Sequence, residues 1–238
     1  MKYLAIVCLI IINQYAFAQA EPGMDSGIFR LERGTFNGQQ GMIGRKLPPS
    51  DVVGDYYLDT TWHQGSFTTS DGRSSATYPL RYDIENAILE IKWGKLVKVA
   101  GEEELTSFTW KKNGINNQTF VNARSFSHNG SPMAGFVELL YQGSDTLVLQ
   151  MVTTLKEADY VPGLDMGNRN SEILKKGKYF IIHNGQAIPI KNKGNFLEYA
   201  SVADDKRLKK YMRQRRINVK EASDLVALLQ YYEGTFDH

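Results

Sequence analysis

The chain has 238 residues and a formal net charge of +2, from 28 Lys and Arg against 26 Asp and Glu. This near-neutral balance gives no global charge that would favour nucleic acid as a partner. The one cysteine, Cys8, lies in the N-terminal apolar run. A chain that has lost this run therefore has no disulfide, thiol chemistry or cysteine-based zinc site.

Residues 1–20 have the pattern of a secretory signal peptide. Lys2 supplies a basic start, an apolar run extends from Leu4 to Ile12, and small residues follow at Ala16 and Ala18. We predict cleavage after Ala18 or after Ala20, and export to the periplasm or the extracellular space. The run is about half of the ~20 apolar residues that a spanning helix needs, and no later segment is longer. We therefore expect a soluble mature chain without a transmembrane segment.

The rest of the chain divides into three segments. Residues 21–54 are rich in Gly and polar groups and are expected to form a loosely ordered lead-in with one strand near Phe29–Phe36. From residue 55 to 192, short β-branched and aromatic runs alternate with turn residues and no helical pattern intervenes. This spacing predicts an antiparallel β domain, either a curved sheet, a sandwich or a partly open barrel of about 9–11 strands. Residues 193–238 are expected to form a helix pair docked on it, which makes the class mainly β (α+β).

The expected hairpins have identifiable turn chemistry. In "KYFIIHNGQAIPIK" the pair Asn184-Gly185 is the preferred two-residue hairpin loop, and it separates Tyr179–His183 from Gln186–Lys191. Pro189 cannot donate a backbone hydrogen bond, so the second strand is expected at an edge or with Pro189 facing outward.

Two amphipathic helices are predicted at the C-terminus. Ser201 and Asp204 resemble the start of the first, whose apolar stripe extends to about Arg216. Asn218 begins the second, and Gly234 suits its C-terminal cap.

The stretch "YPLRYDIENAILEIK", Tyr78 to Lys92, reads as a hairpin whose charges set its register. A two-residue loop at Glu85-Asn86 pairs Tyr82 with Leu89 and places Arg81 opposite Glu90. A loop longer by two residues would put like charges opposite each other, which is destabilising.

The same stretch raises the question of catalysis. Asp83, Glu85 and Glu90 could act as paired carboxylates in a hydrolase of envelope polymers, and this alternative stays open. The favoured interpretation is that they form the solvated outer face of an antiparallel sheet. His63, His128 and His183 show no metal-ligand spacing, and no phosphate-binding or dinucleotide motif occurs. We predict no catalytic, cofactor-binding or metal residue and no cofactor.

The segment from Asp204 to Arg216 concentrates positive charge, with seven basic residues against two acidic ones. In an exported protein its targets would be anionic lipid or an acidic protein. The candidate contacts with an anionic surface are Lys206, Lys209, Lys210, Arg213 and Arg216. The alternative is that these residues solvate the outer face of a helix.

Together, "GDYYLDTTWHQGSF", "YPLRYDIENAILEIK", "KYFIIHNGQAIPIKNKGNFLEYA" and "DDKRLKKYMRQRRINVKEASDLVALLQYYEG" resemble an uncharacterised family of secreted Bacteroidota proteins. The resemblance extends from about Gly54 to Gly234. It implies a Gram-negative envelope location and a β domain with terminal helices, and it implies no activity. We expect an exported, non-enzymatic binding or structural module for a protein partner or an envelope ligand such as lipid.

Overall fold

The computed structural model describes residues 28–29, 45–113, 116–161, 163–200 and 206–236. It is mainly β, with one large, mostly antiparallel sheet that does not close, and with helices at the C-terminus. The predicted fold class is therefore confirmed. The predicted signal peptide lies outside the described residues.

The strands of the sheet are numbered here in chain order. They are β1 (Ile28–Phe29), β2 (Val52–Val53), β3 (His63–Thr69), β4 (Ser74–Ser75), β5 (Tyr78–Asp83), β6 (Ile88–Trp93), β7 (Leu96–Ala100), β8 (Leu105–Lys112), β9 (Asn116–Asn122), β10 (Ser127–His128), β11 (Ser131–Pro132), β12 (Phe136–Gln142), β13 (Thr146–Lys156), β14 (Ser171–His183) and β15 (Gln186–Pro189). The helices are α1 (Lys193–Tyr199), α2 (Lys206–Gln214) and α3 (Ala222–Phe236).

The strand order is β11-β10-β15-β14-β13-β12-β9-β8-β3-β5-β6-β7, with β1, β2 and β4 attached at the side. Although β5 and β12 are not neighbours in this order, the Phe136 amide donates to the Tyr82 hydroxyl at 3.0 Å. The sheet therefore curls until its two halves touch. Aromatic side chains fill the interior of the curl, among them Phe67, Phe108, Trp110, Phe120 and Phe136.

The register predicted for the β5–β6 hairpin is confirmed. Tyr82 pairs with Leu89, and Arg81 lies opposite Glu90. The ladder ends one pair earlier than expected, because Asp83 pairs with Ile88 and the residues from 84 to 87 form the turn. Ala87 closes this turn with a φ of 52°, in the left-handed region.

The Asn184-Gly185 hairpin is also confirmed, with His183 paired to Gln186 and both loop residues at positive φ. Pro189 ends β15 opposite Phe180. Beyond Pro189 the edge of β14 loses this partner strand, which positions the candidate site described below.

The helices cover one end of the sheet. Buried side chains of α2 and α3 pack on Leu147, Ile181 and Ile190. The sequence patterns missed α1, a short helix capped by the Asn192 side chain, which accepts from the Asn195 amide. The prediction that Gly234 caps the last helix is wrong, because α3 continues to Phe236. The expected start of the first predicted helix, Ser201 and Asp204, lies outside the described residues. None of the described helices is both long and apolar enough to cross a bilayer.

Candidate functional site

The first candidate site is a group of two arginines, two acids and a tyrosine around the β5–β6 hairpin. We call Arg45, Tyr57, Arg81, Asp83 and Glu90 the buried ion cluster. Asp83 and Glu90 are only 1% and 2% exposed. The prediction that these two carboxylates face solvent is therefore wrong. Arg45 and Tyr57 come from the segment before the hairpin and cover them.

Each carboxylate in the buried ion cluster has a guanidinium partner. Arg45 donates to Asp83 Oδ2 at 2.7 and 3.0 Å and to Glu90 Oε1 at 2.6 Å. Arg81 donates to Glu90 Oε2 at 2.6 and 3.0 Å, and the Tyr57 hydroxyl donates to Oε1 at 2.9 Å. Two arginines thus balance two acids, which is the condition under which buried charges are tolerated.

The Tyr57 hydroxyl also links the cluster, because it is hydrogen-bonded to Arg45, Arg81 and Glu90. Burial lowers the pKa of Arg45, but hydrogen bonds to Tyr57 and Glu90 and the charges of Glu90 and Asp83 outweigh it, so that the pKa is raised. Burial raises the pKa of Tyr57. The Arg81 guanidinium lies 3.8 Å from the centre of the Tyr57 ring and 4.6 Å from that of Trp62. These contacts fix Arg45 and the segment 56–62 to the hairpin.

This arrangement does not resemble a pair of catalytic carboxylates. Acid–base work needs one carboxyl that can hold a proton and a path for substrate, whereas Asp83 and Glu90 are salt-bridged and buried. Glu85 does not join them, because its carboxylate contacts Lys46 and Thr153 instead. The geometry is that of a structural anchor.

The second candidate site is a groove of about 730 Å³ along the edge of β14, which we call the edge groove. Its lining residues are His128, Leu149, Gln150, Met151, Gly177, Lys178, Tyr179, Phe180, Pro189, Ile190, Lys191, Val219 and Lys220. Four parts of the chain meet here: the β13–β14 pair, the end of β15, His128 of β10 and the loop before α3. The Tyr179 hydroxyl holds that loop by donating to the Lys220 carbonyl at 3.2 Å.

The charged lining of the edge groove has one sign. Lys178, Lys191 and Lys220 are exposed, and His128 adds a half-buried imidazole. Among the residues that the structure describes, no Asp or Glu lines the groove. Burial raises the pKa of the Tyr179 hydroxyl, and the nearby charges of Glu221 and Glu138 raise it further. Apolar walls with basic groups suit a ligand that is partly apolar and negatively charged.

The basic residues predicted on the C-terminal helices lie together on α2 and just after it. Lys206, Lys210, Arg213 and Arg216 are exposed and Lys209 is half-buried. Lys209 and Arg213 line a cleft of about 330 Å³ with Lys193 of α1, above Leu197 and Met212. Leu208 and Met212 of α2 are buried, as expected from the apolar stripe of the predicted helix.

The histidines stay apart. His63 contacts Asp59, His128 contacts the Ala187 carbonyl and His183 contacts Asp145. Among the residues that the structure describes, no group of three or more His, Cys, Asp or Glu could hold a metal ion.

Sequence patterns did not identify the edge groove. Lys178 and Lys191 do lie within the confirmed hairpin segment, but only the folded sheet brings Lys220 and His128 beside them. Comparisons with protein-family models, curated proteins and solved structures found no match to the chain.

Proposed function

We propose that this protein is an exported, non-enzymatic binding module of the cell envelope, and that the edge groove holds an anionic part of its ligand or protein partner. One observation carries the proposal: within the described part of the chain, every charged side chain that lines the edge groove is basic. The signal-peptide pattern of residues 1–20 supports export.

The size of the groove fits this role. Pockets for small ligands and cofactors span roughly 300–1,000 Å³ and combine apolar walls with a few polar groups. In the edge groove Leu149, Met151 and Ile190 supply apolar surface, while Lys178 and Lys220 supply charge. Because these lysines are exposed, their attraction for an anion is screened by salt. Binding should weaken as the ionic strength rises.

The test is calorimetric titration of the purified chain with three anionic probes and a neutral counterpart of each. The anionic probes are oleate, lysophosphatidylglycerol and an acidic ten-residue peptide. The neutral ones are oleyl alcohol, lysophosphatidylcholine and the same peptide with Gln and Asn for its acids. We expect at least one anionic probe to bind and its neutral counterpart to bind at least tenfold more weakly.

A charge-matched pair of variants locates the site. Lys178→Ala, Lys191→Ala and Lys220→Ala together should lower the affinity at least tenfold. Lys95→Ala, Lys111→Ala and Lys112→Ala remove the same charge from exposed positions outside the groove and should leave it unchanged. Equal losses in the two triple variants, or no binding of any anionic probe, would contradict the proposal.

A second candidate function is association with an anionic surface through α2. The observation that favours it is that Lys193 of α1 joins Lys209 and Arg213 around one cleft. Lys206 and Lys210 extend the same positive surface along the helix. Basic residues near an anionic membrane contribute about 1 kcal/mol each.

Co-sedimentation with vesicles tests this second function. The chain should sediment with phosphatidylglycerol vesicles and not with phosphatidylcholine vesicles. A variant with Lys209, Lys210 and Arg213 changed to Gln should stay in solution, whereas the edge-groove triple variant should still sediment. Binding that persists in the α2 variant would rule out this surface.

A further inference from the structure

The edge groove lies where a long strand lacks a neighbour. β13 pairs with β14 from Glu172 to Ile182. On the other side of β14, β2 covers only Ser171 and Glu172, and β15 covers only the stretch from Phe180 to His183. Between these two strands, no described strand pairs with β14. Just past the end of β15, the Ile190 amide still donates a hydrogen bond to the Tyr179 carbonyl of β14.

The backbone groups in this gap point outward. In an antiparallel ladder, the N–H and C=O of alternate residues point to the same side of the strand. Since Tyr179 directs its carbonyl towards the β15 side, Gly177 and Lys175 direct their backbone groups to that side as well. These two residues therefore present donors and acceptors at an open edge.

The groove includes the Gly177 part of that edge. Successive strand residues point to opposite faces of a sheet, yet Leu149, Gln150 and Met151 all line the groove, as do Gly177, Lys178 and Tyr179. The groove thus reaches both faces around the edge strand. Gly177 has no side chain, and on its face of the sheet Leu149 and Met151 of β13 occupy the space, since a Cβ there would lie 2.9 Å from Leu149 Cδ1.

The charge of the edge selects its partner. Lys176 and Lys178 flank Gly177 and are exposed, and Lys191 and Lys220 lie across the groove. Asp55 is an acid near this edge, and it is paired with Lys175 at 3.1 Å. Lysines on an edge strand oppose pairing with an identical edge, because like charges would lie opposite each other. A second copy of this chain is therefore disfavoured, and a strand with acidic side chains is favoured.

We infer that the partner held in the edge groove is an extended acidic segment of another protein, which adds a short strand to β14 beside Lys175 and Gly177. The inference rests on the binding function proposed above and names its ligand. Gly54, just after β2, covers Ile173, so the gap extends from Leu174 to Lys178. At roughly 3.3 Å per residue these five residues span about 17 Å, enough for a segment of about five residues. Main-chain hydrogen bonds would supply affinity, and the lysines would supply selectivity for acidic side chains.

The test uses three forms of one acetylated and amidated ten-residue peptide in which Glu alternates with Val or Thr. The parent has free backbone amides. A second form is N-methylated at its even positions and a third at its odd positions. All three carry the same charge, but each methylated form has lost the hydrogen-bond donors of one edge.

We expect the parent peptide to bind the full chain and one methylated form to bind at least tenfold more weakly, while the other keeps the affinity of the parent. Equal affinity of all three forms would overturn strand addition, because charge alone would then explain binding. Loss in both methylated forms would also overturn it, since only one edge of an added strand meets β14.

Failure of this inference is distinguishable from failure of the proposed function. If the parent peptide does not bind but oleate or lysophosphatidylglycerol does, and the Lys178, Lys191 and Lys220 variant loses that binding, the edge groove is a lipid site and strand addition is wrong. If no anionic probe binds through these lysines, both the inference and the proposed function are wrong.

Discussion

At the scale of single residues, Arg45 is the partner on which two buried acids depend. It contacts both Asp83 and Glu90, and its own side chain is 11% exposed. Removing one member of a buried charge pair leaves the other without compensation, which costs more than the pair contributes. Asp83 retains hydrogen bonds from the backbone and side chain of Asn86, and Glu90 retains Arg81.

Arg45→Met keeps much of the apolar length of the side chain and removes its charge. We expect the free energy of unfolding to fall by about 3 kcal/mol, because Asp83 loses its guanidinium partner. Urea denaturation at pH 7 measures the change. Arg169→Met breaks the exposed pair with Asp165 and should have a much smaller effect. Equal effects of the two substitutions would show that the buried ion cluster is not an anchor.

Tyr82 predicts how stability changes at alkaline pH. Burial raises the pKa of its hydroxyl above the ordinary value of 10.0, although the bond from the Phe136 amide lowers it. The folded chain therefore keeps this proton where the unfolded chain releases it. The resulting stability is fully present below about pH 10 and is lost as the pH rises from there through the folded pKa.

Tyr82→Phe removes this titration. The variant should lose about 1–3 kcal/mol at pH 7, because the buried Phe136 amide loses its acceptor. Its stability should then decline less steeply than that of the wild type between pH 9.5 and 10.5, as measured by urea denaturation. A decline as steep as that of the wild type would contradict the assignment.

At the level of secondary-structure elements, the strand register and the turn that could be predicted from sequence depend on residues close together in the chain. Arg81 faces Glu90 because the apolar faces and the charges of β5 and β6 agree on one register. Asn184-Gly185 likewise specifies its hairpin. Arg45 is different, since it lies 38 residues from Asp83 and 45 from Glu90 in sequence. No local pattern signals that contact, so the buried ion cluster was mistaken for an exposed face.

The edge groove was missed for the same physical reason. Its lining comes from β10, β13, β14, the end of β15 and residues 219–220. Only the folded sheet shows that β15 stops before the middle of β14. The helix α1 was missed because its seven residues, KGNFLEY, are too few for a clear apolar period.

The two hairpin turns give a matched pair of stability predictions. Ala87 and Asn184 have φ values of 52° and 49°. A left-handed conformation costs an ordinary side chain roughly 1–2 kcal/mol, whereas Gly adopts it freely and Asn tolerates it. Ala87→Gly should therefore stabilise the chain by about 0.5 kcal/mol, after the added flexibility of the unfolded state is subtracted.

Asn184→Ala should act in the opposite direction and destabilise the chain by about 1 kcal/mol. Thermal and urea denaturation of both variants provide the measurement. A loss of stability in Ala87→Gly would show that the methyl group contributes more by packing than it costs in backbone strain.

At the scale of the whole molecule, the proposed export places the edge groove in contact with envelope components. Expression of the full chain in a Gram-negative host should yield protein outside the cytoplasm whose first residue is Gln19 or Glu21. N-terminal sequencing and cell fractionation test this. Ala18→Leu removes a small residue from both cleavage motifs and should make the precursor accumulate. Cytoplasmic protein that retains residues 1–18 would contradict export.

In the proposed binding mode, the ligand lies along the open edge of β14. The most direct test is to follow backbone amide NMR shifts during titration with the anionic probe that binds most tightly. The largest changes should occur at Lys175, Gly177, Lys178, Ile190 and Lys220, and they should be absent from the variant with Lys178, Lys191 and Lys220 changed to Ala. Changes centred on α2 or on the β5–β6 hairpin, with the amides of the edge groove unaffected, would contradict the claim.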